Sequence, residues 1–341
     1  MESAKQNTLV WAFNPFENDK TLQKKTALAI QLLNKNLAMK IQPVYLWGNL
    51  SSGVPFQPMN LLIPEVSTFS QTALDHLVQE IPIPNLEPIQ VLARPSLTQR
   101  QATEWLINFA RSENAEFIVV NTHACKGPKR LLLGSFTETL MLNSDIPIFI
   151  VNPHSDVHTL QLNHILFPTD FSEESRSAFN KALKFAKQLR ASMTLFHKVE
   201  FPGCVPTGLS AEWAIASQEA CEEVSNGMNA EIQKWAMEGK NDGILCHTLL
   251  DSNPTDSVAD AILKLAKRRP GIIAMASHSD LLTRTLMGST TRKVARSSNC
   301  PVWIIHPHSK SASQSNKVEY SVNEKDIDED LKFHGQNRKV G

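Results

Sequence analysis

The chain has 341 residues, enough for one large domain or two of ordinary size. Its 42% hydrophobic and 20% charged content is that of a well-packed globular protein, and no apolar run approaches the ~20 residues of a membrane-spanning helix. Lysine plus arginine and aspartate plus glutamate each number 34, so charge gives no reason to expect nucleic acid or a membrane surface as a partner.

From the N-terminus, MESAKQNTLVWAF lacks a basic segment leading into a long apolar core, so no signal peptide is expected. Short apolar runs then alternate with helical patterns. The first half offers LVWAF (9–13), PVYLW (43–47), PIQVLA (88–93), FIVVN (117–121) and IFIVN (148–152) as strands. The second offers HILFP (164–168), MTLFHKV (193–199), ILCHTLL (244–250), IIAMA (272–276) and VWIIHP (302–307). Between the first two of these, EESRSAFNKALKFAKQLRA sets Phe179, Ala182, Ala186 and Leu189 on one helical stripe, capped by Asp170 or Ser172. Strands apolar throughout and separated by helices signal a parallel sheet covered on both faces. Cys125, Cys204, Cys221, Cys246 and Cys300 are scattered, odd in number and never spaced as CxxC, which fits reduced thiols in a cytoplasm rather than a disulfide framework or zinc site.

The two halves repeat each other. RLLLGSFTETLMLNSDIPIFIVNPHS (130–155) aligns without a gap on RTLMGSTTRKVARSSNCPVWIIHPHS (284–309), with Gly134 on Gly288, Ser135 on Ser289 and Thr137 on Thr291. The offset, 288 − 134 = 154, is the size of a whole domain. The expected organisation is one five-stranded α/β domain over 1–155, a second over 160–309, and a disordered polar tail over 310–341, where apolar residues thin out.

HILFPTDFSEESRSAFNKALKFAKQLRASMTLFHKV resembles the opening of the universal stress protein family. ASHSDLLTRTLMGSTTRKVARSSNCPVWIIHP and NTHACKGPKRLLLGSFTETLMLNSDIPIFIVNP resemble its closing signature. The resemblance implies two tandem doubly wound, Rossmann-like domains of the adenine nucleotide alpha hydrolase-like kind and a role in stress survival. Some members bind ATP and others do not. Family members pair domains through their last strands, so IPIFIVN and CPVWIIHP are expected to pair within this chain, with a further homodimer left open.

If ATP binds, the resemblance puts it outside the carboxyl ends of the strands. Pro168, Thr169 and Asp170 would flank the base or ribose, and the helix beginning near Gly288, with Ser289, Thr290 and Thr291, would face the phosphates. Ala276, Ser277 and His278 would supply the loop between, and Asn14, Gly134 and Ser135 are the first-copy counterparts. ATP-binding members carry Gly-x-x-Gly, nine residues, then Gly-Ser or Gly-Thr. Here those positions hold Asn121, Ala124, Gly134 and Ser135, and in the second copy Ala276, Ser279, Gly288 and Ser289 with one spacing residue fewer. A Cβ at the missing glycines obstructs close approach of a phosphate to the backbone.

Plainer roles stand beside these. Gly134 and Gly288 could permit a sharp helix start with Ser135 and Ser289 as N-caps, and Asp170 could only cap its helix. Thr122-His123 and Ser277-His278 recur at one loop and could anchor it or touch a ligand. His154 with His158, and His306 with His308, lack a third residue spaced for a metal, so none is expected. GxSxG, GxxxxGK[ST] and HExxH are all absent, so no catalytic residue is assigned. The leading expectation is a non-catalytic stress-response module, and the alternative is an ATP sensor with nucleotide in the second copy. A nucleotidyl-transferring enzyme ranks last, because FPTDFSEES and AFNPFENDK offer no glycine to cradle phosphate.

Overall fold

The computed structural model describes residues 7–48, 59–94, 98–122, 134–156, 162–199, 211–277 and 288–306. The tail over 310–341, like His278, Ser279, His123, Ala124 and His158, lies outside the described residues. The first half runs β1 (Thr8–Ala12), α1 (Lys20–Leu37), β2 (Lys40–Gly48), α2 (Met59–Glu80), β3 (Gln90–Arg94), α3 (Gln99–Ser112), β4 (Ala115–Asn121), α4 (Ser135–Asn143) and β5 (Ile148–Val151). The second runs β6 (His164–Pro168), α5 (Glu173–Leu189), β7 (Ser192–Lys198), α6 (Ala211–Asn241), β8 (Cys246–Asp251), α7 (Val258–Arg268), β9 (Ile272–Ala276), α8 (Ser289–Ser297) and β10 (Val302–Ile305). Each expected apolar run is a strand.

Local chemistry sets the helix ends. Ser172 caps α5, its Oγ accepting from the Ser175 amide at 3.1 Å. Thr98 and Gln101 form a reciprocal capping box at α3. Along α5 the expected stripe of Phe179, Ala182, Ala186 and Leu189 is buried.

The strands form one ten-stranded sheet in the order β3-β2-β1-β4-β5-β10-β9-β6-β7-β8. Within each half every pairing is parallel, and strand order reverses between β1 and β4 and again between β6 and β9. The halves join where β5 runs antiparallel to β10, with Val302 opposite Ile150, Trp303 opposite Phe149 and Ile304 opposite Ile148. The expected pairing of last strands is therefore made within the chain, and it fuses two five-stranded layers into one.

Alternate residues send their side chains to opposite faces. Phe117, Phe149, Phe167, Trp303 and Ile305 pack on one face, and Val10, Ile118, Ile150, Met275 and Ile304 on the other. At the joint, Trp303 packs against Phe185 of α5 with ring centroids 4.4 Å apart and the planes tilted by 43°. Both rings are buried. By the usual cost of emptying such a site, Trp303→Ala should destabilise the fold by about 3–5 kcal/mol.

Equivalent residues also cross the joint as hydrogen-bond donors. Asn152 Nδ2 donates to Ala295 O at 3.3 Å, and its counterpart His306 lies 3.1 Å by Nε2 from Met141 O. A carbonyl only accepts, so Nε2 carries the proton. Burial pushes His306 down to about 4, with Lys181 adding to the fall and the Met141 carbonyl and Asp145 opposing it. His164, at the start of β6, is lowered to about 4 by burial and then by Arg269 and His247.

Both histidines bind protons more weakly folded than unfolded. Their contribution to stability is thus complete above the unfolded value near 6.5 and is lost as pH falls toward 4. His306→Asn, which places the first copy's residue at this position, should reduce proton uptake on unfolding by about one at acid pH. Urea midpoints measured from pH 7.5 to 4.5 test this, and an unaltered pH slope in the variant would refute it.

Candidate functional site

In parallel sheets of this order, a crevice opens outside the carboxyl ends of the strands that flank the reversal. In the second half those ends are Pro168 and Ala276, and the chain beyond them builds the site.

After β6 the chain turns through Thr169, Asp170 and Phe171. Thr169 is buried, and its Oγ1 accepts from the Phe171 amide at 3.0 Å. Phe171 sits at φ 63°, in the left-handed region that an L-residue enters at a cost of roughly 1–2 kcal/mol. Its ring lies 4.6 Å from that of His197 and meets Trp235 edge-on at 5.6 Å. These contacts and the Thr169 bond offset the strain. Asp170 is exposed, and one oxygen, Oδ1, accepts from the Ser172 amide at 3.1 Å, Ser172 Oγ at 2.7 Å and Ser175 Oγ at 2.6 Å. Ser172, not Asp170, is the cap, and Asp170 clamps that cap in place. Ser172→Ala should cost about 1 kcal/mol, measured by denaturant unfolding.

His197, near the end of β7, lies 2.8 Å by Nδ1 from Thr169 O, so Nδ1 carries the proton. Nε2 is then a buried acceptor without a hydrogen-bond partner among the described residues. Ser277, just past β9, donates its amide to Ile305 O at 2.9 Å, and its buried hydroxyl likewise has no partner among the described residues. Two unsatisfied polar atoms thus stand near the carboxyl ends of β7 and β9. A buried polar group without a partner is costly, and such groups are commonly met by water or a ligand.

The start of α8 differs from expectation. The N-cap is Gly288, with φ −52° and ψ 135° and no side-chain cap bond, and Ser289 is the first helical residue. Gly134 takes the same part at α4, with φ −53° and ψ 130°, so neither Ser135 nor Ser289 is an N-cap. Negative φ needs no glycine. Among the described residues, a Cβ added at Gly288 would meet nothing closer than Thr291 Oγ1 at 3.9 Å. Neither local backbone strain nor a close contact with the described residues explains this glycine. Gly288 and Ser289 are exposed and Thr290 is half-buried, whereas Thr291 is buried. The outward-facing set is therefore Gly288, Ser289 and Thr290.

Asn121 and Ala276, at the first missing glycine positions, close β4 and β9 and are not among the residues at positive φ. Their side chains add bulk at the strand ends without backbone strain. In the first half, Asn14 is half-buried and accepts from the Phe16 amide at 3.1 Å. Beside it, Phe16 stacks on Phe69 at 4.7 Å, both half exposed.

Burial pushes the Cys246 thiol up to about 11 and raises that of Cys300, so these two stay protonated at neutral pH. Among the described residues no cluster of three histidine, cysteine or acidic side chains could hold a metal, and no helix is long and apolar enough to cross a membrane.

These features define a tandem doubly wound α/β protein with one crevice per half. The family model for the universal stress protein family matches residues 87–152 and 161–306, and the chain belongs to that family. Membership gives it a part in stress response. A universal stress protein of Methanocaldococcus jannaschii is 26% identical over 143 residues, spanning 41% of this chain and 80% of that protein. The crystal structure of a universal stress protein from Archaeoglobus fulgidus superposes with a TM-score of 0.60 at 18% identity, covering 89% of this chain and 96% of the other. A functionally unknown protein from Pseudomonas aeruginosa gives 0.51 at 13% identity, covering 89% and 93%. At these identities the two structures support the fold alone.

Since Gly288 lacks a cap side chain and its backbone angles suit an ordinary N-cap residue, Gly288→Ser should hold stability or raise it by roughly a few tenths of a kcal/mol. A thermal or urea midpoint well below the native value would show that the fold itself requires the glycine.

Proposed function

We propose that the chain is a non-catalytic, cytoplasmic stress-response module whose two family domains, over 1–155 and 160–309, precede a disordered polar tail over 310–341. Its nucleotide-binding loops are degenerate. One observation carries this reading: Asn121 and Ala276 stand at the strand ends where ATP-binding members have glycine, and both place a side chain where a phosphate would approach. Asp170 Oδ1 accepts from Ser172 and Ser175, which engages that carboxylate in holding the start of α5.

A second reading has its own support. An ATP sensor would use Pro168, Thr169, Asp170, Ala276, Ser277 and His278 for the base and sugar, and Gly288, Ser289, Thr290 and Thr291 for the phosphates. Gly288 brings no side-chain cap bond, so the first amides at the positive end of α8 would turn to the phosphates. The unsatisfied His197 and Ser277 atoms would gain partners. In the first half Asn14, Gly134 and Ser135 support binding less, since Asn14 is uncharged and aromatic rings stand beside it.

Equilibrium dialysis with ATP and Mg²⁺ separates the two. The first reading expects no saturable binding at millimolar nucleotide. One ATP per chain, lost in Gly288→Val while the unfolding midpoint holds, would replace it with the second.

A further inference from the structure

The duplication makes Glu138 and Arg292 equivalent residues, 154 positions apart, and the fold brings these two together. Arg292 Nε lies 3.3 Å from Glu138 Oε1, each in the first turn of its helix. The contact lacks hydrogen-bond alignment, since Arg292 Nε has no hydrogen-bond partner among the described residues, so it acts as a charge pair. The strands show the same relation. Trp303 faces its equivalent Phe149, flanked symmetrically by Val302–Ile150 and Ile304–Ile148. Both pairs therefore sit at the two-fold axis that relates the copies.

An isologous joint sets an axial residue against its own equivalent. Two first copies joined this way would oppose Glu138 to Glu138 and Phe149 to Phe149. Two second copies would oppose Arg292 to Arg292 and Trp303 to Trp303. Only a first copy on a second copy puts opposite charges together and matches a larger ring with a smaller one. Arginine in a first helical turn is disfavoured by the helix dipole, so α8 gains nothing from Arg292 on its own account.

We propose that these two axial positions make the β5–β10 surface selective for the opposite copy, so that one chain closes on itself instead of pairing with a second chain like to like. The Arg292 side chain is 41% exposed and that of Glu138 26%. Half-solvated pairs add little stability, and their strength lies in excluding wrong partners. Two chains paired like to like would lose two attractive contacts and acquire two repulsive ones.

Charge reversal in the full chain tests this. Glu138→Arg makes all three pairings Arg–Arg, Arg292→Glu makes all three Glu–Glu, and the double reversal restores the native pattern with its sign exchanged. Each single variant should unfold at lower urea concentration and, by sedimentation, show a species of twice the native mass that grows with concentration. The double variant should return both readings to native values, with a coupling of about tenfold in the folding equilibrium constant. Singles that unfold early without the doubled species would overturn the selectivity. So would a double variant no better than the singles, or singles that match the native chain.

Discussion

Three residues of β5 laid against three of β10 are the constraint on which the rest of this structure depends. Each half, alone, would end its sheet in a strand of apolar residues with one edge unpaired, a surface open to any passing strand. Paired, the two edges become the centre of a ten-stranded layer. Ile148, Phe149, Ile150, Val302, Trp303 and Ile304 are then all buried. Helices α1 and α5 meet over one face of this seam, while α4 and α8 reach across it by Glu138 and Arg292 and by the donors Asn152 and His306.

The seam also separates what the copies share from what they do not. Their strand order, the uncapped glycine before the last helix and the strand-end donors are common to both. The first turn is not. The second copy makes a tight turn through Asp170 and Phe171 into the Ser172 cap, whereas the first runs from Asn14 to an Asp19 cap and leaves Phe16 half exposed. One domain was thus doubled and its two crevices were lined with different chemistry.

Much of the fold was legible in the sequence because it is periodic. Ten apolar runs of strand length, a helical stripe through Phe179 and Ala186, and a gapless 26-residue repeat each leave a local mark. The site was legible only in outline. Asp170, Gly288 and Ser289 were readable by place, but not that Gly288 itself is the cap. Phe171, His197 and Trp235 assemble one aromatic wall from three elements, so no window of sequence contains them together. Their only signal was the histidine in MTLFHKV, which period-two alternation assigns to a strand and nothing more. Glu138 and Arg292 were hidden for a related reason: the alignment makes them equivalents, and only the antiparallel joint makes them neighbours.

Because the halves are parallel within and antiparallel between, the carboxyl ends of β1 and β4 point one way and those of β6 and β9 the other. The two crevices therefore open at opposite margins of a single stiff plate. No one small molecule bridges them, and neither can brush against what occupies the other. Geometrically the chain is a connector with two unlike poles, one beside the half-exposed Phe16 and Phe69 and one where the Phe171, His197 and Trp235 rings stand with the unsatisfied His197 and Ser277 atoms.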